Sequence, residues 1–385
     1  MSRIVQNLRF SETTASVLLD AIRGIAAMLV LLNHWRLSFF IDFSQVQGHR
    51  ALLAPLYLLS GAGHQAVVVF FVLSGYLISG SVIRSFQRKE WSWTQYSTHR
   101  LVRLWIVLLP ALILGALWDH LGIYLHQAPS LYSGASNNDM TPDVRHSLSF
   151  PVLMGNAAFL QTILVPPFGS NGPLWSLANE FWYYALFPLG VYISGRFSKN
   201  PVQIGISVTV LFLIAVCLTK IILLLFPVWL LGALLHAVPR RPTTLWQRLV
   251  TSAVYGVVFF GISMLDFSGN VRRVILGDWA LGLATFGFIW VLLGAGQKAT
   301  QTIPNRLSRC TAQFSYTLYM VHTPTLIFAV SLMAHDTRWV PSARTGVLAL
   351  GVLALVIAYA WLLATATEFR TDQVRAWVES KLLTY

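Results

Sequence analysis

Residues 18–35 read LLDAIRGIAAMLVLLNHW, a run apolar enough and long enough to cross a bilayer that nonetheless contains Asp20, Arg23 and His34. Ionisable side chains are costly in hydrocarbon, and those retained there tend to mark function. At about 100° and 1.5 Å per residue, the steps from Arg23 to His34 return to nearly the same helix face, about 16 Å apart along the axis. Asp20, one turn before Arg23, joins that stripe. Two readings are open at this point: an Asp20–Arg23 pair at the membrane edge with His34 interfacial beside Trp35, or a polar stripe turned into a helix bundle.

The composition of the rest of the chain settles the class. Of 385 residues, 56% are apolar and 11% charged, against about 25% charged in a soluble domain. Apolar runs near spanning length recur to the C-terminus with no long polar block between them, which predicts an all-α, polytopic transmembrane bundle of about ten spanning helices. One membrane domain is expected over residues 1–385, its core at about 15–366, with 367–385 as an amphipathic tail at the inner interface. The first apolar stretch carries charges and lacks a small-residue cleavage site after it, so it reads as a retained helix and not a signal peptide. Cys217 and Cys310 offer neither a disulfide framework nor metal-ligand spacing.

The net charge of +13 has a membrane cause rather than a nucleic-acid one. Spans are expected at about 15–37, 65–83, 101–122, 174–194, 201–219, 221–238, 248–266, 275–295, 313–334 and 345–366. Of the 27 basic residues, 18 then fall on segments sharing the side of the N-terminus, 8 on the opposite side, and Arg23 inside the first helix. That bias predicts both termini in the cytoplasm of a plasma (inner) membrane protein.

Four further stretches carry chemistry or packing. The second span, VVVFFVLSGYLISGSVIR (67–84), sets Ser74, Gly75, Ser79, Gly80 and Ser81 where neighbouring helices can approach closely. The segment 84–103, RSFQRKEWSWTQYSTHRLVR, mixes five cations with aromatic residues: an inner-face anchor, or an anion site in which Arg100 and Arg103 share one face near a helix N-terminus. In GPLWSLANEFWYYALFPLG (172–190), Glu180 lies well inside a span and must be paired or protonated. In QFSYTLYMVHTPT (313–325), Tyr316, Tyr319 and His322 fall within two turns before Pro324. The connection 123–173 reads as a long outer loop suited to a lid or acceptor surface, 38–64 with Asp42, His49 and His64 as a solvated link, and Asp266 and Asp278 as interfacial.

Taken together, LDAIRGIAAMLVLLNH, FFVLSGYLI, RLVRLW, PLWSLANEFWYYALFP and FSYTLYMVHTP, in this order, resemble the motifs of the acyltransferase 3 family, integral-membrane O-acyltransferases of bacterial glycans. Two positions depart from that pattern. Where relatives often carry a proline after the basic motif, this chain has Ile106, with the proline later at Pro110, and where relatives often pair two acids, Glu180 is followed by Phe181. No extracytoplasmic esterase-like domain is expected, so transfer would be completed within the membrane part.

The resemblance implies an acyl-CoA donor, acetyl-CoA first among them, with no metal, and a hydroxyl of a cell-surface glycan or its lipid-linked precursor as acceptor, the bilayer being the other partner. It implies His34 as general base, Arg23 for the thioester oxyanion or the pantetheine arm, and Glu180 to orient His34 or neutralise Arg23. Arg100, Arg103 and Arg84 are the donor-binding cations; Asp20, Tyr316 and His322 are further candidates. A covalent acyl-imidazole is a variant of this scheme. The rival readings are a transporter with an intramembrane charge path, against which residues 195–385 show no second copy of the first-helix or FFVLSGYLI patterns, and an acyltransferase acting on a small molecule or lipid.

Overall fold

The computed structural model describes residues 13–135, 143–194, 200–265, 270–296 and 309–382. Among the counted cations, Arg3, Arg9, Arg196, Lys199, Lys298 and Arg306 lie outside the described residues, as does Asp266. Helices occupy all ten expected segments: α1 (Thr14–Phe39), α2 (Gly63–Gln87), α3 (Trp93–Leu125), α4 (Leu174–Ile193), α5 (Pro201–Cys217), α6 (Lys220–Leu234), α7 (Leu245–Ser263), α8 (Trp279–Leu293), α9 (Ser315–Met333) and α10 (Ala343–Ala366). Among the described residues there is no strand, and seven helical segments are long and apolar enough to cross a membrane. The chain is an all-α membrane bundle. Pro201–Cys217 and Lys220–Leu234 are shorter apolar helices.

Local chemistry sets the helix starts. Thr13 caps α1 by accepting from Ser16 N, Ser92 caps α3 by accepting from Gln95 N, and Thr244 with Gln247 forms a reciprocal capping box on α7. The Ser92 cap opens α3 eight residues before the expected start at 101. Arg100 and Arg103 therefore sit two turns or more inside the helix, where backbone N–H groups are already bonded, and the expected helix-N-terminus contribution to an anion site is absent.

Packing places the polar residues inward. The small residues of α2 do what their spacing suggests: a Cβ on Gly75 would lie 1.9 Å from the Trp229 carbonyl oxygen, and one on Gly232 would lie 2.0 Å from that of Val72. Helices α2 and α6 thus touch backbone to backbone. Around this crossing α1 packs on α2 and α9, and α9 packs on α3. The end of α1 is tied down by Trp339, which donates from its backbone N to Phe39 O at 2.6 Å, and by Arg338, which holds Asp42 through two hydrogen bonds of 3.0 and 3.1 Å. Ahead of α8, residues Arg273–Asp278 form a π-helix.

The connection between α3 and α4 is not a free outer loop. Short helices Pro129–Tyr132, Val144–Ser147 and Phe150–Ala157 fold back onto the bundle. Its last residues then enter it. Buried Asp119 accepts from Ser170 N at 2.8 Å and Ser170 Oγ at 2.6 Å, and Asn171 Nδ2 donates to Met320 O at 2.7 Å. Gly169 has a φ of +58° and passes so close to Asp119 that an added Cβ would lie 2.2 Å from its Oδ2. Only glycine fits that turn.

Candidate active site

Two cavities meet inside the bundle, and each is built from residues of α1, α2, α4 and α9. The first, about 190 Å³, takes Arg23 from α1, Ser74 from α2, Arg100 and Arg103 from α3, Glu180 from α4 and Tyr316 from α9, with apolar walls from Phe70, Leu73 and Ile78. The second, about 360 Å³, takes Asn33 and His34 from α1, His64 from α2, Trp175 from α4 and Thr323 from α9, closed by Gly172 and Pro173 of the turn that enters the bundle. Val67 and Tyr319 line both.

The imidazoles of His34 and His322, 288 positions apart in sequence, lie side by side. His34 Nδ1 is 2.7 Å from His322 Nε2, the ring centroids are 4.9 Å apart and the ring planes are inclined by 17°. Proton positions follow from the neighbours. His322 Nδ1 faces the carbonyl oxygens of Leu318 and Tyr319 at 3.0 and 2.9 Å, and since carbonyls only accept, Nδ1 carries the hydrogen. Its Nε2 is then the acceptor, for His34 Nδ1–H and for the Thr323 hydroxyl at 3.1 Å. That fixes His34 as the Nδ1–H tautomer and leaves the lone pair on Nε2 of a ring that lines the second cavity. His322 is 1% exposed, so its donor role cannot pass to water.

Glu180 meets neither of its expected partners. Its Oε1 accepts from Ser74 Oγ at 2.7 Å and from the Tyr184 hydroxyl, with Trp229 Nε1 donating to Ser74 Oγ at 3.2 Å. It faces the same cavity as Arg23 and Arg100 without an ion pair to either among the described residues. Arg23 donates to Asp20 at 2.7 Å, the first of the two readings of this pair, yet its guanidinium also lines the first cavity. Separated from His34 by about 16 Å of helix rise, it stands at the other end of the site.

The three cations expected at the donor site separate. Arg103 is bound to Glu368 at 2.8 Å, and Glu368, 5% exposed, also accepts from Thr317 N and Oγ1. The tail thus contributes a buried carboxylate that the sequence reading treated as part of a surface helix. Tyr316 packs under Arg103, 5.7 Å from ring centroid to guanidinium, and donates to Leu104 O. Arg100 lies over Tyr96 at 5.6 Å and has no ion pair among the described residues, leaving its charge to the cavity. Arg84 is exposed at the end of α2, next to His236, and does not line the first cavity. Among the described residues no group of three or more His, Cys, Asp or Glu could hold a metal ion.

A family model described as an acyltransferase domain, that of the acyltransferase 3 family, matches residues 17–364. The chain belongs to the acyltransferase 3 family. It is therefore a membrane acyltransferase, which answers the transporter reading. No curated protein and no solved structure matches it. The matched region spans the helices that carry Arg23, His34, Glu180 and His322, all within the acyltransferase 3 domain. Among the lining residues that escaped the sequence reading is His64, taken for part of a solvated link and held inside the second cavity by Asp278 at 2.8 Å. No periodicity reveals it, because its partner lies 214 positions away on another element.

Proposed function

We propose that this acyltransferase moves an acyl group, acetyl first, from cytoplasmic acyl-CoA to a hydroxyl of a cell-surface glycan or its lipid-linked precursor, in the plasma membrane with both termini cytoplasmic. The observation that carries the reading is the His34–His322 pair at the meeting of two cavities. Donor and acceptor enter from opposite ends. The first cavity, with Arg100 and Arg23 toward one end and apolar walls along it, suits an anionic donor with an extended arm. Its volume, about 190 Å³, is below the roughly 300–1,000 Å³ of sites for drug-sized ligands, so it takes the reactive end of the thioester while the nucleotide stays at the mouth, by Arg100. The second cavity, about 360 Å³, falls within that range and takes the acceptor.

His34 Nε2 removes the acceptor hydroxyl's proton as the oxygen attacks the thioester carbonyl carbon. The C–O bond forms, and negative charge moves to the carbonyl oxygen. Tyr319, in the wall shared by the cavities with its hydroxyl 2.6 Å from Ser176 Oγ and 3.3 Å from Pro173 O, turns its hydrogen from these partners to that oxyanion. Collapse breaks the C–S bond, and the leaving thiolate takes the proton back from His34 Nε2. His322 accepts from Nδ1 throughout, holding the ring and supporting the transient imidazolium. Arg23 stands too far along the helix for the oxyanion and serves the donor arm.

The test is transfer of label from [¹⁴C]acetyl-CoA by the purified full-length protein in lipid nanodiscs. Turnover is expected in the wild type, and His34→Ala should lower kcat by roughly 10²- to 10⁴-fold, the usual worth of a positioned general base. Near-normal turnover in a folded His34→Ala protein would withdraw the assignment.

A further inference from the structure

We propose that the second cavity holds a second imidazole dedicated to the acceptor: His64, oriented by Asp278, accepts a hydrogen bond from another hydroxyl of a ring-shaped polyol, beside the hydroxyl that His34 activates. This rests on the acyl-transfer reading and adds to it the chemistry of the acceptor site. His64 is the second residue of α2 and lines the cavity together with Asn33 and His34 of α1. Its Nε2 lies 2.8 Å from Asp278 Oδ1. A carboxylate here accepts, so Nε2 carries the hydrogen, and the tautomer this selects for an uncharged imidazole has its lone pair on Nδ1, which has no hydrogen bond among the described residues.

Asp278 is the second observation. Its side chain is 4% exposed, it terminates the π-helix Arg273–Asp278, and its Oδ2 is buried without a hydrogen-bond partner among the described residues. A half-satisfied buried carboxylate is expensive, and π-helical turns recur at functional sites. Such an arrangement serves to fix one imidazole in one orientation at a cavity wall.

The remaining wall residues have matching chemistry. Asn33 Nδ2 donates to Ser60 O at 2.7 Å, which leaves its Oδ1 as an acceptor. The cavity therefore offers three neutral acceptors, His34 Nε2, His64 Nδ1 and Asn33 Oδ1, and its complement is an uncharged ligand rich in O–H donors. Trp175, nearly parallel to the His64 ring at 19° with centroids 6.2 Å apart, adds an aromatic face of the kind on which a pyranose ring packs. A lipid chain or an anionic acceptor would leave these lone pairs unpartnered.

The experiment uses the full-length protein in nanodiscs with acetyl-CoA, and methyl hexopyranosides with their monodeoxy counterparts as acceptors. For the wild type, removing the one hydroxyl that meets His64 should raise the acceptor KM about tenfold, the loss expected for one hydrogen bond at a built polar site. In His64→Phe, which keeps a flat ring on Trp175, that discrimination should fall to within about twofold. The KM for acetyl-CoA, whose cavity His64 does not line, should stay at its wild-type value. Asp278→Asn, still able to accept from Nε2–H, should keep most of the discrimination, whereas Asp278→Ala should behave like His64→Phe. The proposal is overturned if His64→Phe keeps the wild-type discrimination, or lowers turnover on both acceptors alike, as a packing role would. Release of free CoA thiol with no transfer to any pyranoside overturns it while leaving acyl transfer standing; absence of thiol release in the wild type overturns both.

Discussion

A single proton decides what His34 can do, and it is held by a residue far away in sequence. Because His322 Nδ1–H is committed to two backbone carbonyls in the turn before Pro324, its Nε2 can only accept, and His34 can only donate from Nδ1. His322→Ala removes that acceptor and lets the His34 ring turn over, so kcat is expected to fall roughly a hundredfold, the usual scale for misplacing a reacting group by an ångström. KM for either substrate should hardly change. His322→Gln, whose amide oxygen can accept from Nδ1–H, should restore part of the loss. Steady-state kinetics on the three proteins separates this from packing, for which the glutamine gives no rescue and both KM values rise. Each histidine was visible in the sequence as an ionisable residue in an apolar run. Their bond was not, since residues on two helices share no periodicity.

Helix boundaries explain why the basic motif reads differently in the chain and in the fold. The apolar pattern places the start of α3 near 101, but the Ser92 cap and the turns after it extend the helix outward, carrying Arg100 and Arg103 away from the N-terminal amides. Their roles then diverge through neighbours on other elements. Arg100 lines the first cavity without an ion pair among the described residues, whereas Arg103 answers the buried carboxylate of Glu368 from beyond α10. Arg100→Ala should therefore weaken acetyl-CoA binding by roughly ten- to a hundredfold, the worth of one charge-assisted contact of about 1.5–3 kcal/mol, with thermal stability unchanged. Arg100→Lys should recover little, because a point charge does not replace a planar fork. Arg103→Ala leaves Glu368 with only Thr317, at a cost on the order of 1–3 kcal/mol, and should lower the melting temperature before it touches affinity. Calorimetric titration alongside thermal unfolding reads both, and equal loss of affinity with unchanged melting in the two variants would return Arg103 to the donor site. The small residues of α2 were legible in advance, because close approach of two helices is a local demand on residue size.

At the scale of the molecule the chemistry depends on which way the bundle faces. With the proposed acyl-CoA donor, a cytoplasmic metabolite, the cavity bearing Arg100 would open inward and the one bearing His64 outward; the reverse orientation would leave the proposed donor site without donor. The 18 to 8 division of basic residues expected from the sequence favours the inward placement of Arg100 through the positive-inside rule. Two exposed positions test it directly: Glu90, just before α3, and Ala135, beyond the far end of that helix. Glu90 is preferable to Ser92, whose hydroxyl caps α3. Cys217 and Cys310 are free and exposed, so both are first replaced by serine. In intact cells a membrane-impermeant maleimide should then label Ala135→Cys and spare Glu90→Cys until the membrane is opened by detergent. Labelling of Glu90→Cys from outside would invert the bundle, place the basic cavity where no acyl-CoA exists, and require a donor of different chemistry for the same two histidines.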